Sequence, residues 1–106
     1  MVEEVFGPLL TVQQADDAHA ALALASSVPQ ALAASVWTRD LGARLGLADG
    51  NDAGEVRLNC HLVQTAELPH GGTGASGTGT DLSTLALHEY QRPKSITARP
   101  PRNPWT

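Results

Sequence analysis

An α/β fold with mainly parallel strands alternating with helices is what this chain predicts. Two short apolar runs, a clean polar–apolar alternation and the helix-spaced segments between them carry that prediction. Strand, helix and strand in succession are the βαβ signature of a sheet covered by helices.

The elements follow in order. After Gly7 and Pro8, the run Leu9, Leu10, Thr11, Val12 is apolar and partly β-branched, which predicts a buried strand. Asp16 is placed to cap a helix carrying Ala18, Ala21, Leu22 and Ala25 at helical spacing, with Asp17 favouring the dipole in the first turn. Val28-Pro29 closes it, because the residue before proline is pushed out of the α region. Leu32 to Thr38 predicts a second buried strand, with Trp37 in the core. Asp40 caps a short helix through Leu41, Arg44, Leu45 and Ala48, which Gly42 and Gly46 weaken by ~1 kcal/mol each. The stretch LADGNDAG reads as a turn. From Glu55 to Leu62 the alternation sets Val56, Leu58, Cys60 and Leu62 on one face, opposite Glu55, Arg57, Asn59 and His61. PHGGTGASGTGTD is too rich in glycine for regular structure; Asp81 then caps a helix with Leu82, Leu85, Ala86 and Glu89. Pro93 stops that helix, Lys94 to Ala98 predict a tail strand, and residues 99–106 have the composition of a disordered tail.

Composition narrows the function classes. The net charge of −4, with seven dispersed Lys and Arg residues, argues against a nucleic-acid or anionic-membrane surface. No window reaches the ~18 to 20 apolar residues of a membrane span, and acidic residues follow Met1 where a secretory signal is positive, so a cytoplasmic location is expected. Cys60 is the single cysteine, which excludes an internal disulfide and a cysteine-rich zinc site. The histidines lack zinc-motif spacing, and no metal is expected.

The strings EEVFGP, LAASVWTRD, AGEVRLNCH, ELPHGG, SGTGTDLS and EY occur in the order and near the spacing found in the aldehyde dehydrogenase superfamily. The chain resembles the C-terminal part of that family over roughly Glu3 to Ala98. NCH, ELPHGG and GTDLS resemble most the branch that oxidises aminoaldehydes and betaine aldehyde. The resemblance implies residues 1–70 as the end of a catalytic domain and residues 71–98 as a Gly-rich crossover, a helix and an oligomerisation-type strand. It also implies a cysteine thiolate that attacks an aldehyde, NAD or NADP as hydride acceptor, and a glutamate that activates water. Glu4 matches the family's ribose-contacting glutamate, Phe6 the aromatic at the nicotinamide end, and His70 a position near the substrate entrance.

The family's nucleophilic cysteine, general-base glutamate and nucleotide-binding domain have no match in this chain, so no catalytic residue is assigned. The opening Glu3–Val12 reads as the middle of a protein, and we expect a fragment inactive alone and marginally stable. The alternative is a non-catalytic remnant that pairs with intact family members through Lys94 to Ala98. Cys60 lies on the apolar side of its alternation, where an inert thiol is the commoner outcome. Gly72, Gly74 and Gly77 spell GxGxxG, but the run follows Pro69 and continues into more glycine, so a dinucleotide fingerprint is not assigned. Departures from the family pattern include Gly74 in place of a lysine, the LADGNDAG stretch in place of continuous helix, and Pro93 before the tail strand.

Overall fold

Two of the three helices among the described residues begin where an aspartate side chain accepts from an orphan backbone N–H. The computed structural model describes residues 3–99 and residue 103. Helix α1, Ala18–Ala25, is capped by Asp17, whose Oδ1 accepts from Ala20 N at 2.8 Å. Asp16, the expected cap, lies one residue outside. The helix stops before Val28-Pro29: Ser26 caps it, and Ser27 Oγ donates to the Leu24 carbonyl at 2.6 Å, a side-chain competitor for the backbone ladder. Helix α2, Leu41–Asp49, begins as expected, with Asp40 Oδ1 accepting from Ala43 N at 3.1 Å. It runs on into LADGNDAG, so only the second half of that stretch is a turn.

Strands β1 (Gln30–Ala31), β2 (Ala33–Val36) and β3 (Glu55–Leu58) come next. Ala33 to Val36 pair in parallel with Glu55 to Leu58, and α2 is the crossover that packs on both strands. The parallel alternation expected of the sheet is confined to this β2–α2–β3 unit. Asn59 N extends the ladder by donating to the Val36 carbonyl at 2.8 Å. Asn59 itself has φ 54°, which ends β3 well short of the predicted Leu62.

The glycine-rich stretch, expected to be irregular, makes three two-residue strands: β4 (His70–Gly71), β5 (Thr73–Gly74) and β6 (Thr80–Asp81). β5 pairs antiparallel with β1 and β4 with β6. Glycine allows this because Gly74 sits at φ 57° with the Pro29 carbonyl oxygen 2.6 Å from where a Cβ would stand. Small hydroxyl side chains complete the ladder, Ser76 Oγ accepting from Ala31 N at 2.9 Å. β4 straddles the boundary expected at residue 70. Helix α3, Ser83–Glu89, starts after Leu82 with no side-chain cap. Asp81, the expected cap, belongs to β6, and its carboxylate instead accepts from Leu82 N at 2.9 Å.

Two predicted strands do not form among the described residues. Leu9 to Val12 carry no ladder and are exposed, and Lys94 to Ala98 have no pairing partner. The expected disordered tail lies, apart from Arg99 and Asn103, outside the described residues. Trp37, expected in the core, is 65% exposed. No apolar side chain among the described residues is buried. The Cα radius of gyration is 21.8 Å, against about 13 Å for a compact domain of about 100 residues. The described residues hold their strands and helices through local ladders and caps, without an apolar core among them.

One contact is intolerant of substitution. Gly54 donates to the Ala31 carbonyl at 3.1 Å just before β3, and a Cβ there would collide with the Gly71 carbonyl oxygen and carbon. Both colliding atoms are backbone, so no side chain can swing aside. Gly54→Ala is expected to cost about 1 to 3 kcal/mol by overpacking, read as faster amide hydrogen exchange in β2, β3 and β4. Unchanged protection would refute the contact.

Candidate functional site

The segment preceding α1 is irregular, and its backbone folds back at Leu9, whose N–H donates to the Gly7 carbonyl at 2.7 Å. Phe6 is held at φ 48°, an uncommon conformation for an aromatic residue, and its ring is 93% exposed. Glu4 and Phe6 line one open cleft of about 670 Å³, walled on the far side by Val28 and Gln30. Glu4 also borders a second hollow of about 740 Å³ between the end of α1, β1, Asp52 and Ser76. An acidic oxygen and an aromatic ring thus meet at one mouth, the pairing that sequence reasoning singled out.

The first cleft presents a carboxylate and an exposed aromatic ring. A carboxylate accepts hydroxyl hydrogens of a ribose, and an exposed ring offers a face to a planar heterocycle. Among the described residues no lysine or arginine lines this cleft, so they offer no counter-charge for a pyrophosphate. The GxGxxG run does not open a helix either: its glycines lie between β4 and β6, and α3 begins only at Ser83.

His70 lines neither hollow and is held elsewhere. Arg57 and Glu55 alternate on β3 and therefore share a face. Arg57 Nε lies 2.7 Å from Glu55 Oε1 and Nη2 donates to Oε2 at 2.7 Å, a two-toothed ion pair. Arg57 Nε also reaches the Val63 carbonyl at 3.2 Å. Glu55 Oε2 lies 3.1 Å from His70 Nδ1, and Gln64 Nε2 lies 2.9 Å from the same ring nitrogen. The group fastens the Asn59–Pro69 loop and β4 to the strand. Arg57, 7% exposed, is the one buried side chain among the described residues.

A second clamp joins the strand ends. Asn59 Oδ1 accepts from Thr38 N at 2.8 Å while its Nδ2 donates to the Thr38 carbonyl at 2.9 Å, so the side chain acts as one more backbone rung. Arg44 Nη2 donates to the same carbonyl at 2.9 Å. Cys60 is half-buried and its thiol takes no hydrogen bond among the described residues; Ser35 Oγ, not the thiol, pairs with His61 Nδ1 at 2.9 Å. Among the described residues no His, Cys, Asp and Glu side chains assemble into a group that could hold a metal.

Glu55, Arg57, Gln64 and Asn59 were not singled out by the sequence. The available signal was the Glu-x-Arg alternation on one strand face, which places opposite charges side by side.

A profile described as the aldehyde dehydrogenase family matches residues 1–96. The chain is 36% identical over 99 residues to a 2-aminomuconic semialdehyde dehydrogenase of Danio rerio, covering 93% of this chain and 20% of that one. The crystal structure of HpcC from Thermus thermophilus matches with a TM-score of 0.85 and 40% identity, over 97% of this chain and 20% of that one. Betaine aldehyde dehydrogenase of Staphylococcus aureus, solved in complex with NAD+, matches with a TM-score of 0.81 and 35% identity, over 84% and 18%. The chain therefore spans about a fifth of the length of these relatives.

Proposed function

The chain belongs to the aldehyde dehydrogenase family, and from that premise we propose that it is the C-terminal part of an NAD(P)-dependent enzyme oxidising an aldehyde to its carboxylate, and is inactive alone. The observation that carries this reading is the backbone likeness to an NAD+-bound dehydrogenase, together with Glu4 and Phe6 at one cleft mouth. Glu4 accepts the nicotinamide-ribose hydroxyls, and Phe6 packs against the nicotinamide end. NAD or NADP, when bound, takes a hydride. On this reading the nucleophile, the water-activating carboxylate and the phosphate-binding groups come from another segment; among the described residues no lysine or arginine lines the cleft. His70 shapes the substrate path. An aminoaldehyde is the substrate class favoured by the NCH, ELPHGG and GTDLS strings and by the betaine aldehyde dehydrogenase likeness. The proposed location is the cytoplasm.

A second reading is a non-catalytic module that pairs with intact family members. The absence of any ladder partner for Lys94 to Ala98 among the described residues favours it.

The test is reconstitution. The chain is mixed with a relative truncated before the segment matching Glu3, and NAD(P)H formation is followed. Hydride transfer that needs both pieces supports the first reading. Co-migration without activity supports the second, and the lack of both transfer and co-migration would overturn the two together. Titrating the chain alone with millimolar NAD is expected to give no binding heat. Saturable heat would show that the cleft holds more of the cofactor than its ribose end.

A further inference from the structure

His70 Nδ1 faces two neighbours that want opposite things of it. A carboxylate paired with a guanidinium is an acceptor only, so Glu55 Oε2 at 3.1 Å is attractive only if Nδ1 carries a proton. A Gln64 amide nitrogen at 2.9 Å is attractive only if Nδ1 carries a lone pair. The carboxylate decides, because it has no other polarity to offer, whereas an amide can turn and present its oxygen. Arg57 fixes the carboxylate in place with two contacts of 2.7 Å and is itself buried. The other ring nitrogen, Nε2, has no hydrogen-bond partner among the described residues, and the side chain is 29% exposed.

We propose that Glu55 is a positioning residue that holds His70 as the Nδ1–H tautomer, so that the unpartnered Nε2 offers a lone pair to a donor group on the substrate. This rests on the reading of His70 as part of the substrate path and deepens it. A lone pair selects a ligand that ends in a protonated amine or a hydroxyl and disfavours one that ends in a carboxylate. Arg57 acts through Glu55, and Gln64 is dispensable.

The test is nitrogen-15 NMR of the imidazoles in the 106-residue chain, recorded over a series of buffers of rising pH. Wild type is expected to show a protonated Nδ1 and a lone-pair Nε2 at His70. Glu55→Gln is expected to move the tautomer ratio about tenfold or more toward Nε2–H, the scale of a hydrogen bond to a charged group. Gln64→Leu should leave the ratio unchanged. A wild-type His70 in the Nε2–H form, or a ratio indifferent to Glu55→Gln, overturns the proposal. If Glu55→Gln loses its strands, the wild-type ratio decides by itself. Adding 4-amino-1-butanol should shift the Nε2 resonance saturably, while butyrate should not. A shift with butyrate, or with neither, overturns the ligand class. The tautomer is read without any dehydrogenase activity, so failed reconstitution sinks the functional reading and leaves the tautomer and its control by Glu55 standing.

Discussion

Offered an aldehyde with NAD+ or NADP+, the purified chain is expected to form no NADH or NADPH above a protein-free blank, and Cys60→Ser should leave that baseline unmoved. A thiol becomes a nucleophile when a neighbouring base or cation favours its thiolate. Cys60 is half-buried and makes no hydrogen bond to any base among the described residues. The nearest candidate in sequence, His61, spends its Nδ1 on Ser35. On the proposed reading, Glu4 and Phe6 supply only the ribose and nicotinamide end of a cofactor site. If, as proposed, nucleophile, base and most of the cofactor site lie on another segment, a rate enhancement of at least about a millionfold is missing from this one. NAD(P)H formation abolished by Cys60→Ser would overturn both the assignment of Cys60 as inert and the proposed inactivity.

Arg57→Met is expected to be the most damaging single substitution for the folded region. It leaves the Glu55 carboxylate and the Val63 carbonyl short of their shared donor. Removing one partner of a buried ion pair costs about 3 to 5 kcal/mol, and the partial exposure of Glu55 places this case at the lower end. Cleavage through transient opening should then accelerate about a hundredfold in the Asn59–Pro69 loop under limited proteolysis. Glu55→Leu with Arg57→Met should recover part of the loss, because an apolar pair strands no charge. A single variant as resistant as wild type would show that the network holds nothing.

The elements whose signals are local were legible. Asp40 announces α2 because the cap and the helix it serves are contiguous. Ala33–Val36 and Glu55–Leu58 sit inside the predicted strands because their patterning is internal to each run. Leu9 to Val12 carry the same kind of run yet stay unpaired, since a strand exists only where another edge meets it. Alternation correctly grouped Glu55 with Arg57, but it could not say which face would be covered. Here the polar face takes the deepest position in the fold, occupied by Arg57. Trp37 illustrates the same limit: its chemistry asks for cover that the described chain does not provide. The β1–β5 and β4–β6 ladders join distant residues through glycine geometry, which leaves no periodicity in the sequence.

The β2–β3 pair has a temporal consequence. A parallel pair normally lies inside a sheet covered on both sides, and here it stands without further strands on its outer edges among the described residues. Unfilled backbone edges are templates for any extended segment that passes. On the proposed reading as one part of a larger enzyme, the life of a newly made chain is a race among three fates: capture by a fitting partner, capture by another copy of itself, and proteolysis. Its abundance in a cell would track the supply of that partner more closely than the strength of its own expression.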